Sequence, residues 1–390
     1  MISFNNTEIA FKHKTNRDLK RAKFLFSVIA SPTMVKVGKG VTNFSLSAGL
    51  PIKGIIKATI FKQFCGGETI DECTETVGQM WKNKVGTILD YSVEGKTSDE
   101  DFEATTKEII ATIAKGKTTE AIPFAVFKVT GITRFGLLEA ANEGVENLDA
   151  ALTKEYEATV ERIDRICKAG FDAGIPVFID AEETWIQDTI DRITHEMMLK
   201  YNKEKAIVYN TVQMYRHDRL AFLKDAVAWA KTNGVQYGVK LVRGAYMEKE
   251  RDRAQEKGYP SPIQPDKEAC DTDYNAALDF LTDEFEHMAL VAGSHNEYSS
   301  AYLADLMDKK GLPKENKRIF FAQLLGMSDH ISYNLAHLGY NVAKYVPYGP
   351  IKEVMPYLLR RADENTSVKG QTGRELSLIL QERNRRKGLQ

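Results

Sequence analysis

Residues 176–246, PVFIDAEETWIQDTIDRITHEMMLKYNKEKAIVYNTVQMYRHDRLAFLKDAVAWAKTNGVQYGVKLVRGAY, decide the fold class. A short run of β-branched and aromatic residues is followed by a longer amphipathic segment, and this pattern repeats. The runs 176–179, 206–212 and 237–242 predict strands, and the segments 185–201 and 218–233 predict helices. Strands that alternate with helices favour parallel β-α-β units.

The same alternation continues on both sides of this stretch. Further strands are predicted at 85–91, 124–129, 289–293, 318–324 and 341–345, and further helices at 152–173, 273–287 and 299–310. Eight such strands are the number that a (β/α)8 TIM barrel requires. We therefore predict an α/β fold, a (β/α)8 barrel at 76–370, with a helical N-terminal arm at 1–75 and a C-terminal helix or tail at 371–390.

An open, doubly wound sheet is the alternative, and it often carries an early glycine-rich nucleotide turn. Two segments come close to such a motif. Gly38 and Gly40 are followed by Asn43 where a third glycine would stand, and the Gly116-Lys117-Thr118 run lacks the glycine that a phosphate-binding loop needs at 111. Neither match supports NAD or ATP binding.

Composition excludes several classes of protein. The chain has 390 residues, 43% of them hydrophobic and 27% charged, as in a folded globular protein. A net charge of −1 gives no basic excess for a nucleic-acid partner. No run reaches the ~18 apolar residues of a membrane span. The four cysteines form no CxxC and the seven histidines no HxH or HExxH, so no metal site is predicted. The N-terminus lacks a secretion signal, which predicts an intracellular protein, cytoplasmic or peripheral on the inner face of the cytoplasmic membrane.

Polar residues stand where the predicted strands end, which is where barrel enzymes place their active sites. Lys128 lies in an otherwise apolar run, and a lysine inside a barrel must find an anion or lose its charge, unless its stem lets the ammonium reach water. Asp180 closes another strand. Glu182 and Glu183 follow it and are better explained than Asp180 as acids at the start of a helix.

The segment PIKEVMPYLLRRADEN (350–365) predicts a polar helix face beside the last strand. Tyr357, Arg361 and Glu364 are spaced i, i+4, i+7 and share that face. Arg360 and Glu364 are also spaced i, i+4, so a solvated ion pair is the simpler interpretation. Adjacent guanidinium groups can, however, bind a carboxylate and phosphate or flavin oxygens.

Several segments together resemble the flavin-dependent proline dehydrogenases. They are DYSVE (90–94), FKVTG (127–131), FIDAEE (178–183), KLVRGAYMEKERDRA (240–254), SHNE (294–297), FFAQLLGM (320–327) and YVPYGPIKEVMPYLLRRADENTS (345–367). The resemblance is closer to the free-standing enzymes than to the bifunctional bacterial proteins. It implies a distorted barrel that binds FAD noncovalently and oxidises L-proline to Δ1-pyrroline-5-carboxylate by hydride transfer to FAD. Electrons then pass to a membrane quinone.

The resemblance also implies roles for individual residues. Lys128, Arg360 and Arg361 would surround the substrate carboxylate, with Glu94 paired to Arg360 and Asp180 as a polar partner near flavin and substrate. The residues implied over the substrate ring are Leu241, Tyr246, Tyr345 and Tyr357. Those implied at FAD are Gln213, Lys240, Arg243, Gly244, Ala245, His295, Asn296, Gln323, Glu364 and Ser367. Lys240 departs from the bifunctional branch, which has arginine there.

Three alternatives and one further partner follow from the sequence. Relatives that favour trans-4-hydroxy-L-proline carry serine where this chain has Tyr345, so proline is the expected substrate and hydroxyproline the alternative. A lyase with Lys128 as Schiff-base nucleophile and a non-catalytic barrel are the others. Segment 374–387 joins an apolar cluster, 376–380, to a basic end. It predicts either a helix at an anionic membrane surface or one docked on the protein.

Overall fold

The computed structural model describes residues 2–31, 33–34, 53–93, 95–367 and 371–388, with the backbone alone for 53, 362–367 and 371–372. The motif that begins at Gly38, and Glu94, lie outside the described residues. Four buried free thiols account for all cysteines of the chain.

Eight parallel strands form one closed barrel in chain order, with β8 adjacent to β1. Their bounds are β1 Val85–Tyr91, β2 Phe124–Lys128, β3 Val177–Asp180, β4 Val208–Gln213, β5 Tyr237–Val242, β6 Met288–Gly293, β7 Ile319–Leu324 and β8 Val342–Tyr348. Most strand residues are buried, as expected when helices cover a parallel sheet. The predicted (β/α)8 fold is confirmed.

The strand predicted at 341–345 ends three residues too early. The strand continues to Tyr348, which stays in register with Tyr91 of β1. On the same stretch of β8, the Gly66 amide donates to the Pro347 carbonyl at 2.9 Å, and the Gly349 amide donates to the Gly67 carbonyl at 3.2 Å. Proline lacks a donor but keeps its acceptor, so these bonds carry the strand past it.

The α-helices have the following bounds: α1 Thr7–Phe11, α2 Asn16–Ile29, α3 Lys53–Ile56, α4 Lys62–Phe64, α5 Thr74–Trp81, α6 Asp99–Lys117, α7 Phe135–Asn142, α8 Ala150–Ala173, α9 Thr184–Tyr201, α10 Arg219–Asn233, α11 Met247–Lys257, α12 Lys267–Asp283, α13 Glu297–Lys309, α14 Asp329–His337, α15 Ile351–Ser367 and α16 Gln371–Arg386. A π-helical turn, Lys57–Phe61, joins α3 to α4.

Local side-chain chemistry sets several of these helix ends. Asp149 caps α8 through the amides of Ala151 and Leu152, and Gly174 ends that helix in the left-handed conformation. The helix predicted at 273–287 begins earlier, because Asp266 accepts a hydrogen bond from the Ala269 amide. It also ends earlier, at Asp283, and a 3₁₀ turn, Phe285–His287, follows it.

The described residues fall into two compact units, one of 95–322 with Ile2 and one of 3–93 with 323–388. In the second unit, α2 and α16 bury a common cluster that includes Leu19 and Phe26 on one helix and Leu378 and Ile379 on the other. Most of the apolar cluster predicted for lipid contact is therefore covered by protein. Among the described residues, no helix is both long and apolar enough to cross a bilayer.

Candidate active site

Three charged side chains lie at or near the carboxyl ends of β2, β3 and β5. Lys128 and Asp180 are register partners and are the last residues of their strands. The Lys240 ammonium donates to Asp180 Oδ1, and only 5% of Lys240 is exposed. Side chains of neighbouring strands in register point to the same side of a sheet. The first unit therefore gathers two lysines and a carboxylate at one edge of the sheet.

Glu182, two residues after Asp180, is a buried member of this group that the sequence did not single out. Its carboxylate accepts hydrogen bonds from the Thr130 amide, at 3.0 Å, and from the Thr130 hydroxyl. Burial raises the pKa of Glu182 to about 7, although the charge of Lys128 and the Thr130 hydrogen bonds oppose the increase. Glu182 therefore titrates near neutral pH beside a lysine of the candidate site.

The two acids after Asp180 have different surroundings. Glu183 directly precedes α9, and its carboxylate accepts from the Lys249 ammonium, as expected for an acid at a helix start. Glu182 instead accepts hydrogen bonds from Thr130, which lies two residues after the end of β2. The register of Lys128 with Asp180 would have revealed this contact, because Thr130 and Glu182 each follow two residues later.

Gln213, the last residue of β4, continues the network. Its Nε2 donates to the Glu182 carbonyl at 3.2 Å. Its Oε1 is buried and has no hydrogen-bond partner among the described residues. A buried amide oxygen without a donor is costly, so this atom suits a ligand that brings an N–H or O–H group.

Arg243 lies just beyond β5 with much of its hydrogen-bonding capacity used. It donates to Asp271 at 2.7 Å, to Ser294 at 2.7 Å and to Ser299 at 2.9 Å. Its guanidinium carbon also lies 4.2 Å from the ring centre of Tyr274. Burial alone would raise the pKa of Asp271, but the hydrogen bond from Lys267 and the charge of Arg243 hold it below its usual value. The arginine is thus fixed in one orientation.

The segment after β5 requires glycine at 244. Gly244 has φ +140°, and a Cβ atom there would lie 2.5 Å from ring atoms of Tyr215. Ala245 follows on the surface, and half-buried Tyr246 directly precedes α11. The backbone therefore passes close to Tyr215, a contact that larger residues would prevent.

The remaining predicted site residues of the first unit are Asn296, His295 and Leu241. Asn296 caps α13 by accepting from the Ser299 amide at 3.2 Å, and its amide nitrogen donates to Asp271 at 3.3 Å. His295 is half-buried between β6 and that helix. Leu241, next to Lys240 in β5, is fully buried. Their contacts with a substrate or cofactor remain predictions.

In the second unit, β8 and α15 carry the predicted aromatic and arginine residues. Tyr345, Tyr357 and Arg361 are buried, and Arg360 is half-buried. The Arg361 guanidinium carbon lies 5.1 Å from the ring centre of Tyr357, so both side chains occupy one face of α15, as predicted. Glu364 and Ser367 belong to the same helix, but only their backbone is described.

Gln323 on β7 is held by α14. The Ser332 hydroxyl donates to Gln323 Oε1 at 2.8 Å. Among the described residues, no cluster of three or more His, Cys, Asp or Glu residues could hold a metal ion.

Comparison with known proteins gives a consistent result. The family model described as proline dehydrogenase matches residues 73–374. Human "Proline dehydrogenase 1, mitochondrial" is 41% identical over 249 residues, which cover 62% of this chain and 42% of the human protein. A Xenopus laevis "Hydroxyproline dehydrogenase" is 29% identical over 421 residues, covering 99% of this chain and 90% of the relative.

Solved structures share the fold, and one of them illustrates the similarity. It is proline utilization A from Bdellovibrio bacteriovorus inactivated by N-propargylglycine, with a TM-score of 0.74 and 21% identity. The alignment covers 95% of this chain and 40% of that one. The chain therefore spans about two fifths of the length of both the human relative and the solved structure.

Proposed function

Because the chain belongs to the proline dehydrogenase family, we propose that it oxidises L-proline to Δ1-pyrroline-5-carboxylate with bound FAD and passes the electrons to a membrane quinone. The observation that carries the proposal is the polar group at the ends of β2, β3 and β5. Lys128, Asp180 and Lys240 stand there within segments that resemble the family's motifs. Barrel enzymes place their chemistry at this end of their strands.

The substrate carboxylate is assigned to three cations. Lys128, Arg360 and Arg361 would bind it, and Glu94 would orient Arg360. Cations that bind the carboxylate neutralise it, which lowers the cost of removing it from water. Replacing Arg361 with Met should raise KM for proline by ~10–150-fold, since a charge-assisted bond contributes ~1.5–3 kcal/mol. Because the carboxylate does not react, kcat should change little.

The polar atoms present fit a flavin nucleotide. The buried Oε1 of Gln213 suits an N–H of the flavin ring system, and Lys240 and Arg243 supply positive charge at the end of β5. Further contacts would come from Gly244, Ala245, His295, Asn296, Gln323, Glu364 and Ser367. When bound, the flavin accepts the two electrons that leave the substrate. Asp271, Ser294 and Ser299 fix Arg243, so it would act as an oriented charge.

The protein's own part in the reaction is to bind and orient the substrate. Leu241, Tyr246, Tyr345 and Tyr357 would pack on the proline ring. Asp180 is held in an ion pair with Lys240, which suits a positioning role better than that of a proton acceptor. Free proline carries a protonated amine at neutral pH, and the amine must be neutral to release electrons. We therefore expect kcat/KM to rise with pH.

Two other functions remain as candidates for the same barrel. The Xenopus relative's name favours trans-4-hydroxy-L-proline as substrate, whereas a bulky Tyr345 against ring carbon 4 favours proline. A Schiff-base lyase built on Lys128 would need no flavin. Its protein would be colourless, and borohydride would trap the substrate on it.

The test is a steady-state assay of the purified full chain. We expect a yellow protein that reduces a dye with L-proline, reduces it more slowly with trans-4-hydroxy-L-proline, and keeps its activity in EDTA. A colourless protein, or a yellow one that no amino acid reduces, would contradict the proposal. Loss of activity in EDTA that added metal restores would contradict the prediction that the enzyme needs no metal.

A further inference from the structure

The described parts of α2 and α16 form a basic surface pocket in the second unit. The pocket has a volume of about 310 Å³ and is lined by Asn16, Arg17, Lys20, Arg383, Arg386 and Lys387. No carboxylate is among these lining residues. The chain as a whole has a net charge of −1, so five cations around one pocket are a local feature.

One wall of this basic pocket is fixed by hydrogen bonds. Arg386 donates to Glu382 at 2.7 Å, to the Lys14 carbonyl at 2.9 Å and to the Phe11 carbonyl at 2.8 Å. It also donates to Asn16 Oδ1 at 3.0 Å. Glu382 is buried and pairs with Arg385 and Arg386, so its charge is used within α16. The pocket is thus built into the contact between the two helices.

The other four cations are available to an outside partner. Arg17, Lys20 and Lys387 are exposed and Arg383 is half-buried. The described residues provide no side-chain hydrogen bond or ion pair to any of the four. A guanidinium offers a planar fork that matches phosphate, and an ammonium adds a point charge. The pocket is therefore complementary to phosphate groups.

Large apolar side chains lie beside these cations. Phe24 is 62% exposed and follows Lys20 by one helical turn, and Leu380 is 36% exposed and precedes Arg383 by one turn. The opposite faces of both helices are buried against each other, through Leu19, Phe26 and Leu378. Exposed aromatic and aliphatic residues among lysines and arginines are typical of helices that lie on a bilayer.

We propose that this basic pocket and the flanking Phe24 and Leu380 bind anionic phospholipids, with headgroup phosphates in the pocket and both apolar side chains in the acyl boundary. The membrane contact therefore uses the exposed sides of α2 and α16, with Leu380 as the exposed member of the apolar cluster predicted from the sequence, while Leu378 and Ile379 of that cluster are buried. The proposal rests on the proposed function in one respect, because the quinone acceptor dissolves in the same bilayer.

The test measures flotation of the full chain with vesicles of phosphatidylcholine alone or mixed with phosphatidylserine. Each basic residue near an anionic surface contributes ~1 kcal/mol. The double substitution Arg17→Glu, Lys387→Glu lowers the charge of the pocket by four units. Loss of the two basic residues should by itself weaken binding by about 30-fold, and the two added carboxylates should weaken it further. Phe24→Ser should weaken binding by about 10-fold and leave its salt dependence unchanged, since it removes only apolar contact.

The matched control is Lys154→Glu, Lys224→Glu, which changes the same number of charges on exposed positions of α8 and α10. This variant should bind vesicles within about twofold of wild type if the pocket is specific. Equal losses in both double variants would overturn the proposal, as would wild-type binding that ignores phosphatidylserine. Displacement from the vesicles by inorganic phosphate at low concentration would identify a small-anion site instead. Stronger binding to single-stranded RNA than to vesicles would also overturn it.

Activity separates this proposal from the proposed function. The Arg17→Glu, Lys387→Glu variant should oxidise proline with a soluble dye at the wild-type rate and lose turnover with quinone in phosphatidylserine vesicles. If wild type oxidises no proline, the proposed function fails while flotation still decides the lipid site. If quinone turnover stays at the wild-type value although flotation is lost, the pocket binds lipid without serving electron transfer.

Discussion

Two lysines on strands of this barrel, Lys344 and Lys240, each pair with an aspartate, and the surroundings of the two pairs differ. Lys344 on β8 is fully buried and donates to Asp329 at 2.9 Å, to the Met327 carbonyl at 2.6 Å and to the Leu324 carbonyl at 3.2 Å. On β5, Lys240 donates to Asp180, whose side chain is 15% exposed. The first pair is enclosed by protein, whereas the second lies at the strand ends.

The partners of the two aspartates explain the difference. Asp329 also lies 3.3 Å from Lys14 and 3.6 Å from His13, both in the segment between α1 and α2. Burial would raise the pKa of Asp329, but the charges of Lys14 and Lys344 hold it well below its usual range. This pair therefore ties the N-terminal segment to β8. Asp180 instead has Lys128 as its register partner and Glu182 two residues away, where a substrate would bind.

Breaking the enclosed pair should have the largest effect on stability. Lys344→Met leaves Asp329 buried with Lys14 as its remaining cation, and removing one partner of a buried pair costs ~3–5 kcal/mol. Urea denaturation should show a loss near the lower value, with proline turnover per folded molecule unchanged. Lys168→Met, which breaks the exposed pair with Asp172, is the control and should cost less than about 0.5 kcal/mol. Equal losses in both variants would refute the tying role of Lys344.

The substitution Glu182→Gln tests the polar group at the strand ends through the pH dependence of the unfolding free energy. In the folded chain the pKa of Glu182 is raised to about 7, so ionisation of this buried acid opposes folding. The penalty is absent below the ordinary pKa of 4.5, grows as pH rises and is complete above about 7. The difference in unfolding free energy between variant and wild type should therefore shift by roughly 2–4 kcal/mol in favour of Gln between those limits. A difference that does not change with pH would show that Glu182 does not titrate in this range.

Tyr345→Ser probes the residue next to Lys344 on β8. A phenol ring against ring carbon 4 leaves no space for a hydroxyl group, which would lose water without a new partner. The substitution should weaken proline binding and narrow the ratio of kcat/KM for proline over trans-4-hydroxy-L-proline by about 10-fold. If Tyr345 only packs the barrel, stability would fall while that ratio stays constant. A wild-type enzyme already faster on hydroxyproline would reverse the substrate assignment.

Among these substitutions, Asp180→Asn should have the smallest effect, and the quantity that it tests is kcat. Asparagine keeps an oxygen to accept from Lys240, so a positioning role predicts that kcat stays within about 10-fold of wild type. The measurement is kcat with proline and dye, together with the FAD content of the variant. Near-complete loss of kcat with full FAD content would make Asp180 the proton acceptor instead.

The sequence was sufficient for the barrel but not for its long-range pairs. Alternating apolar runs predicted every strand, because helix-covered parallel strands are apolar along their length. We predicted the end of the last strand too early. The hydrogen bonds of Gly66 and Gly349 at that end of the strand are not visible in any local sequence pattern. No local pattern singles out Lys344 either, because its partners Leu324, Met327 and Asp329 come together around it only when the chain has folded.

The sequence predicted which residues form the candidate site better than it predicted their contacts. Motif segments identified Lys128, Asp180 and Lys240 at strand ends, but Glu182 was interpreted as an acid at a helix start. A helix start and a strand-end contact share the same acidic pattern, and the hydrogen bonds of Thr130 distinguish them. Arg243 was assigned to the cofactor, but its bonds to Asp271, Ser294 and Ser299 depend on tertiary contacts that the sequence does not show.

The most direct test of the account is the anaerobic addition of L-proline to the purified protein, followed by its visible spectrum. We predict a flavin spectrum that bleaches with L-proline and returns when a quinone is added. Lys344→Met should keep this response in its folded fraction, whereas Arg361→Met should require a higher proline concentration. A protein without flavin, or a flavin spectrum that L-proline leaves unchanged, would contradict the account.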